Sequence, residues 1–262
     1  MDLGLRNKIV AIAGASGLLG AATARALAAE GARLALLGRE PASLDALTRQ
    51  LVARGAASVQ SFACDLASAE STDAAVATIE RDAGPIDVLI SAAGSAQGGV
   101  FWEIDDDAWR SNVEAKLFGS IRLLRAVAPR MVARKAGRIV MVVGNSGRQP
   151  DPRMLPGAAA NAALLAIVRG LAEELGPHGV AINALNPGPV RSPRWDRLMQ
   201  AAAERDGSSV EAVEAPHLAR AALRRLGSAD EVAQHVLFLA SERAAHMTGS
   251  AVTIDGGTTK SI

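Results

Sequence analysis

Short runs of consecutive apolar residues alternate along this chain with longer stretches in which apolar positions recur every three or four residues. The runs, at 8–13, 33–37, 58–63, 87–91, 137–143, 180–185 and 251–254, have the length of strands and little polar alternation, as in strands covered on both faces. The stretches between them, among them 18–30, 41–54, 69–82 and 229–240, read as amphipathic or Ala-rich helices. This alternation predicts an α/β fold in three layers, a doubly wound, seven-stranded parallel sheet between helices. No Pro-, Gly- or Ser-rich linker divides the chain, so residues 1–262 are expected to form a single domain. The pattern fails at 187–227, where Pro189, Pro193 and Pro216 interrupt it. Loops at the carboxyl ends of parallel strands form the ligand crevice, so this stretch after the sixth strand is expected to be an irregular substrate lid.

Composition then narrows the classes of function. A hydrophobic fraction of 49% with 21% charged residues belongs to an ordinary soluble globular chain. The 28 Lys and Arg against 27 Asp and Glu leave a net charge of +1, too weak a field to recruit nucleic acid or anionic lipid. The longest charge-free apolar stretch, 154–168, is shorter than the roughly 18 residues a membrane helix needs and contains Pro156 and Asn161. The amino terminus runs directly into the first strand without a cleavable apolar leader, and a cytoplasmic protein with no membrane partner is expected. A lone Cys64 excludes an internal disulfide and a multi-Cys metal site, and reads as a small buried apolar residue. There is no Gly-x-Ser-x-Gly elbow, His-Glu-x-x-His helix, Walker loop or His cluster, so hydrolase and metalloenzyme readings fall away and no metal is expected.

What remains is a ligand-binding turn. The segment IVAIAGASGLLGAATARALAAEG, residues 9–31, sets Gly14, Gly17 and Gly20 between an apolar strand and an Ala-rich helix. Glycines there permit a tight turn and close backbone approach to a pyrophosphate, and the helix start offers unpaired N–H groups to the anion. After the second strand comes Gly38-Arg39, where the adenosine ribose of a dinucleotide would lie. An acidic residue at that place accepts from the ribose hydroxyls of NAD, whereas Arg39 suits the extra phosphate of NADP. NADP is therefore the expected cofactor, ahead of NAD.

These features, with Cys64-Asp65-Leu66 after strand three, Ser91-Ala92-Ala93-Gly94 after strand four, Asn186-Pro187-Gly188 after strand six and the ending RLGSADEVAQHVLFLASERAAHMTGSAVTIDGG, resemble the short-chain dehydrogenase/reductase family. The resemblance covers essentially the whole chain. It implies a Rossmann-type fold, an NAD(P)(H) cofactor across the strand ends, a small-molecule substrate, and homodimers or homotetramers built through two long helices. By that likeness the cofactor would meet Gly14, Ser16, Gly17, Leu19, Gly20, Arg39, Asp65, Leu66, Ala93, Gly94, Asn161, Pro187, Gly188 and Val190. Asp65 would bond the adenine, Gly94 would pass under the adenosine ribose, and Pro187 and Gly188 would border the nicotinamide. The glycine loop departs from the family's commonest spacing, because residue 18 is Leu.

A second departure concerns chemistry. The family uses an Asn, a Ser, a Tyr and a Lys, with Tyr moving the proton, Lys lowering its pKa, Ser binding the carbonyl oxygen and Asn holding a relay water. The matching positions here hold Lys116, Gly144, Gly157 and Asn161, and the chain contains no tyrosine to stand in from elsewhere. One reading is a binding protein or partner subunit without turnover; others are an oxidoreductase with replacement groups and a non-redox lyase or isomerase on the same scaffold. Lys116 and Asn161 look like an exchange of the family's Asn and Lys, and Lys116, Ser146 and Asn161 are the replacement candidates for catalysis. A lysine desolvated beside a cofactor has a lowered pKa and acts as acid or base. Asn145, Asp151, Arg153 and His217 are further polar residues expected near the crevice, while Trp102, Trp109 and Trp195 read as packing or lid residues and His178 and His235 as surface groups.

Overall fold

The computed structural model describes residues 2–54, 56–94 and 98–260; the limits 1 and 262 of the expected domain lie outside the described residues. The chain order is β1 (Ile9–Ala13), α1 (Leu18–Ala29), β2 (Arg33–Gly38), α2 (Asp45–Ala53), β3 (Ser58–Ala63), α3 (Ala69–Asp82), β4 (Val88–Ser91), α4 (Asp106–Val113), α5 (Gly119–Arg134) and β5 (Gly137–Val142). It continues with α6 (Leu155–Leu175), β6 (Val180–Pro187), α7 (Pro193–Asp206), α8 (Val210–Arg220), α9 (Ala229–Ala240) and β7 (Ala251–Ile254). Among the described residues seven strands pair in the order β3-β2-β1-β4-β5-β6-β7, every pair parallel. Strand ends differ from the expected ones by a residue or two.

Every residue of β1 is buried because the strand lies inside the sheet with helices on both faces. Ile9, Ala11 and Ala13 point into a core with Leu123 and Val127 of α5 and Leu164 and Val168 of α6. Val10 and Ile12 point the other way, into a core with Leu27 of α1 and Val236 of α9. The small residues of α1 let it lie close against α9 over β1. The start of α9 is fixed by a capping box: Ser228 Oγ accepts from Glu231 N at 3.1 Å, and Glu231 Oε2 accepts from Ser228 N at 2.8 Å. Helix α6 is long and apolar enough by length and composition to cross a membrane, more so than the expected 154–168 stretch, yet its Leu164, Val168, Ala172 and Leu175 are spent on the sheet.

Two expectations are corrected. The helix expected at 41–54 opens as a 3-10 turn, Pro41–Leu44, that buries Leu44 before α2 begins. The stretch 187–227 is not irregular, since it carries α7 and α8. Ser192 and Ser209 cap these helices by accepting from Trp195 N and Ala212 N. Pro193 sits in the first turn of α7, where no donor is needed, so it starts a helix instead of breaking one; Pro216 is accommodated inside α8.

Candidate active site

The sheet order reverses at β1, whose carboxyl end lies beside that of β4, and the crevice opens there. Gly14 follows β1 with φ +79°, and a Cβ on it would lie 2.7 Å from Ala92 C and O, so glycine is what lets the two loops touch. A Cβ on Gly20 would lie 2.2 Å from Gly14 O, which fixes the start of α1 directly against the turn. Gly17 caps α1 without a side-chain acceptor and no acidic residue occupies the first turn, leaving the helix's first N–H groups for an anion.

A recess of about 470 Å³ lies above this turn, walled by Gly14, Ser16, Gly17, Arg39, Asp65, Leu66, Ala93 and Gly94. Eight of the predicted cofactor residues are thus brought together. Leu18, the departure in the glycine loop, is 41% exposed and does not line the recess, so it does not close it. The Arg39 guanidinium is exposed, with no ion-pair or hydrogen-bond partner among the described residues. Leu19 turns its side chain into the core beneath the turn. Pro187, Gly188 and Val190 lie outside the recess at the end of β6, Gly188 pressed on Asp255 and Val190 bridged to Gly227. Ala115 also lines the recess, which the sequence did not suggest because alanine carries no chemical signal.

Beyond Gly94 lies a second, denser corner. A π-helical turn, Glu114–Phe118, joins α4 to α5 and carries Lys116 at its centre. The lysine stem passes the glycine: a Cβ on Gly94, whose φ is +119°, would lie 3.1 Å from Lys116 Cγ and Cδ. Its Nζ donates to Val143 O at 2.7 Å, and burial pushes the ammonium pKa down to about 8. Three residues further, in a 3-10 turn Asn145–Gly147, Ser146 Oγ accepts from Asn161 Nδ2 at 2.8 Å. Lys116, Ser146 and Asn161 therefore converge on the segment after β5. Asn161 is buried and its Oδ1 has no hydrogen-bond partner.

The other polar residues named from the sequence lie apart. Asn145 Nδ2 reaches Asp255 Oδ2 at 3.5 Å, on the carboxyl-terminal side; partial burial pushes that carboxyl up, but hydrogen bonds from Thr259, then Gly257 N and Asn145, outweigh it and hold it below the usual range. Asp151 accepts from Arg153 N and pairs with Arg220 at 3.4 Å, tying α8 to the β5–α6 loop. His217 meets the Trp195 ring edge-on at 5.4 Å, and Trp195 Nε1 donates to Glu214, which also pairs with Arg191. These contacts hold α7 to α8. Trp109 packs against Phe101, Trp102 is 83% exposed, and His235 bonds back to Glu231 O.

A family model described as enoyl-(acyl carrier protein) reductase matches residues 13–259. The chain belongs to the short-chain dehydrogenase/reductase family. Short-chain reductase protein NovJ of Streptomyces niveus is 34% identical over 96% of this chain and 94% of its own. L-sorbose reductase from Gluconobacter frateurii, solved with NADPH and L-sorbose, superposes with a TM-score of 0.94 at 30% identity, covering 100% of both chains. A short-chain oxidoreductase from Pseudomonas aeruginosa PAO1, solved with NADPH and described as containing an atypical catalytic center, superposes at 0.89 with 30% identity over 98% of this chain and 100% of that one. The coarse reading of an oxidoreductase of this family therefore stands.

Gly144, which follows β5, has an unusual backbone conformation. Its φ is +123°, a conformation side chains rarely adopt, and a Cβ there would lie 3.0 Å from Asn161 Nδ2.

Proposed function

We propose that this protein is an NADP(H)-dependent short-chain oxidoreductase that moves a hydride between the nicotinamide and a carbonyl or secondary alcohol, with Lys116 as the proton-transfer group. The observation that carries this reading is a half-buried lysine of depressed pKa set immediately behind the Gly94 wall of the recess above the glycine turn. The turn of Gly14, Ser16, Gly17 and Gly20, with the N–H of Leu19, would hold the pyrophosphate, and the unpaired Arg39 the additional phosphate of NADP. Asp65 and Leu66 would flank the adenine, Ala93 and Gly94 the adenosine ribose, Asn161 the second ribose, and Pro187, Gly188 and Val190 the nicotinamide. When bound, the cofactor supplies or accepts the hydride. Lys116 holds the proton: an ammonium titrating near 8 gives a proton to a developing alkoxide more readily than one titrating at 10.5, and Ser146 offers a hydroxyl for the same oxygen.

The test is calorimetry with NADPH followed by NADPH oxidation against a panel of carbonyl compounds. Binding and turnover are expected, with Lys116→Met retaining NADPH binding and losing roughly a hundredfold to ten-thousandfold in rate. The rival reading, a cofactor-binding protein without turnover, is favoured by one observation: Lys116 is engaged by Val143 O, and Ser146 and Asn161 by each other. It gains if NADPH binds and no carbonyl consumes it. We also propose assembly as a homodimer across α5 and α6, whose outer faces leave an apolar groove at Ile121, Ile167 and Leu171; light scattering reads this directly.

A further inference from the structure

The π-helical turn has two faces with different duties: Ala115 walls the nucleotide recess, and the next residue, Lys116, reaches into the dense corner. One side chain spans that turn. Arg122, one helical turn into α5 and only 20% exposed, pairs through Nη1 with Glu114 Oε1 at 2.6 Å. Its guanidinium lies over the Phe118 ring at 5.9 Å. Glu114 and Phe118 are the first and last residues of the turn. The same Nη1 donates to Leu66 O at 3.0 Å, and Leu66 is a wall of the recess. Gly119 closes the joint, since a Cβ there would lie 3.1 Å from Leu66 Cβ.

We propose that Arg122 is a positioning residue that bolts the π-helical turn to the Leu66 wall, so that the shape of the nucleotide recess and the station of the Lys116 ammonium are set together. A π turn is a poorly bonded stretch of helix that persists where its surroundings hold it. A guanidinium suits the task because its planar fork serves a carboxylate, a carbonyl and a ring face at once, which an ammonium does not. The charged groups near Lys116 do not compete with this account: burial is the cause of its lowered pKa, with no carboxylate contributing, and Glu114 is committed to Arg122.

The inference takes from the proposed function only that the recess binds NADPH, and its test is read without substrate. The chain has four lysines, Lys8, Lys116, Lys135 and Lys260, so lysine-selective carbon-13 NMR of the full chain resolves the Lys116 ε-methylene titration directly. Arg122→Met is expected to move that titration up toward the ordinary lysine range, to raise amide exchange over 114–118, and to weaken NADPH binding about tenfold. Arg122→Lys, which keeps the charge but not the fork, is expected to restore the binding in part and the titration hardly at all. Should Arg122→Met fold poorly, Glu114→Gln and Phe118→Leu each remove one arm of the clamp and are expected to shift the titration in the same direction. A weakened NADPH affinity with an unmoved Lys116 titration and unchanged exchange overturns the inference, leaving Arg122 as a wall residue alone. A wild-type Lys116 that already titrates as an ordinary lysine overturns the inference and the proposed function together. Absent turnover with a shifted Lys116 titration sinks only the proposed function.

Discussion

The two halves of the crevice are built by different means. The nucleotide recess is made mostly of backbone and small residues: a glycine turn, a helix start and one unpaired arginine. The corner beyond Gly94 is made of side chains that meet one another, Lys116 on Val143 O and Asn161 on Ser146. A backbone-built site tolerates much sequence change, because it asks only that glycines stay where a Cβ would collide. A side-chain-built site changes character with each substitution, and here the turn after β5 packs on Asn161, with Gly144 at φ +123°. Binding and chemistry are therefore expected to be separable in this chain.

Four measurements break or sharpen that contrast. The largest effect is expected from Gly14→Val: a side chain at φ +79° meeting the Ala92 carbonyl should weaken NADPH binding by roughly a hundredfold or more, read by calorimetry beside a melting curve. Equal affinity in that variant would mean the recess is not the nucleotide site. Arg39→Ala is expected to weaken NADPH by about tenfold and to leave NADH nearly unchanged, in line with a charge-assisted contact to one phosphate. A parallel loss for both nucleotides would place Arg39 elsewhere. In the dense corner, Gly144→Ser is expected to lower stability by about 1–2 kcal/mol with no gain of reductase rate, because the new side chain is strained and meets Asn161. A rate gain would show that only a hydroxyl had been lost.

The smallest signal is a slope. Lys116 is held at about 8 in the folded chain against 10.5 ordinarily, so between those values the unfolded chain keeps the proton that the folded chain has released. Stability contributed by this group is therefore expected to rise with pH through that window and to be absent below it. Lys116→Met should flatten the rise in denaturant midpoints measured from pH 8 to 10, and an unchanged slope would show that the ammonium is not desolvated.

The inner strands were legible because helices cover them on both faces, as in the fully buried β1 and β4, and the edge strands β3 and β7 and the helices α3 and α9 also lie at the expected residues. The segment 187–227 was misread because prolines were taken as breaks, whereas Ser192 and Ser209 supply caps that make Pro193 a helix start. Eight recess residues were found from glycines and motif positions, but Ala115 and Arg122 were not. Alanine has no chemistry to notice, and an arginine on a helix looks solvated until the packing shows what lies beneath it.

By itself the sequence determined the α/β layers, the glycine turn and the loss of tyrosine, since periodicity, turn chemistry and composition are local properties that no packing can alter. Only the tertiary structure decided that Lys116, Ser146 and Asn161 share one corner, that Leu18 leaves the recess open, and that a side chain at Gly144 would meet Asn161. Those outcomes depend on distances between segments remote in the chain, which are fixed by how one core presses α5 and α6 onto the sheet.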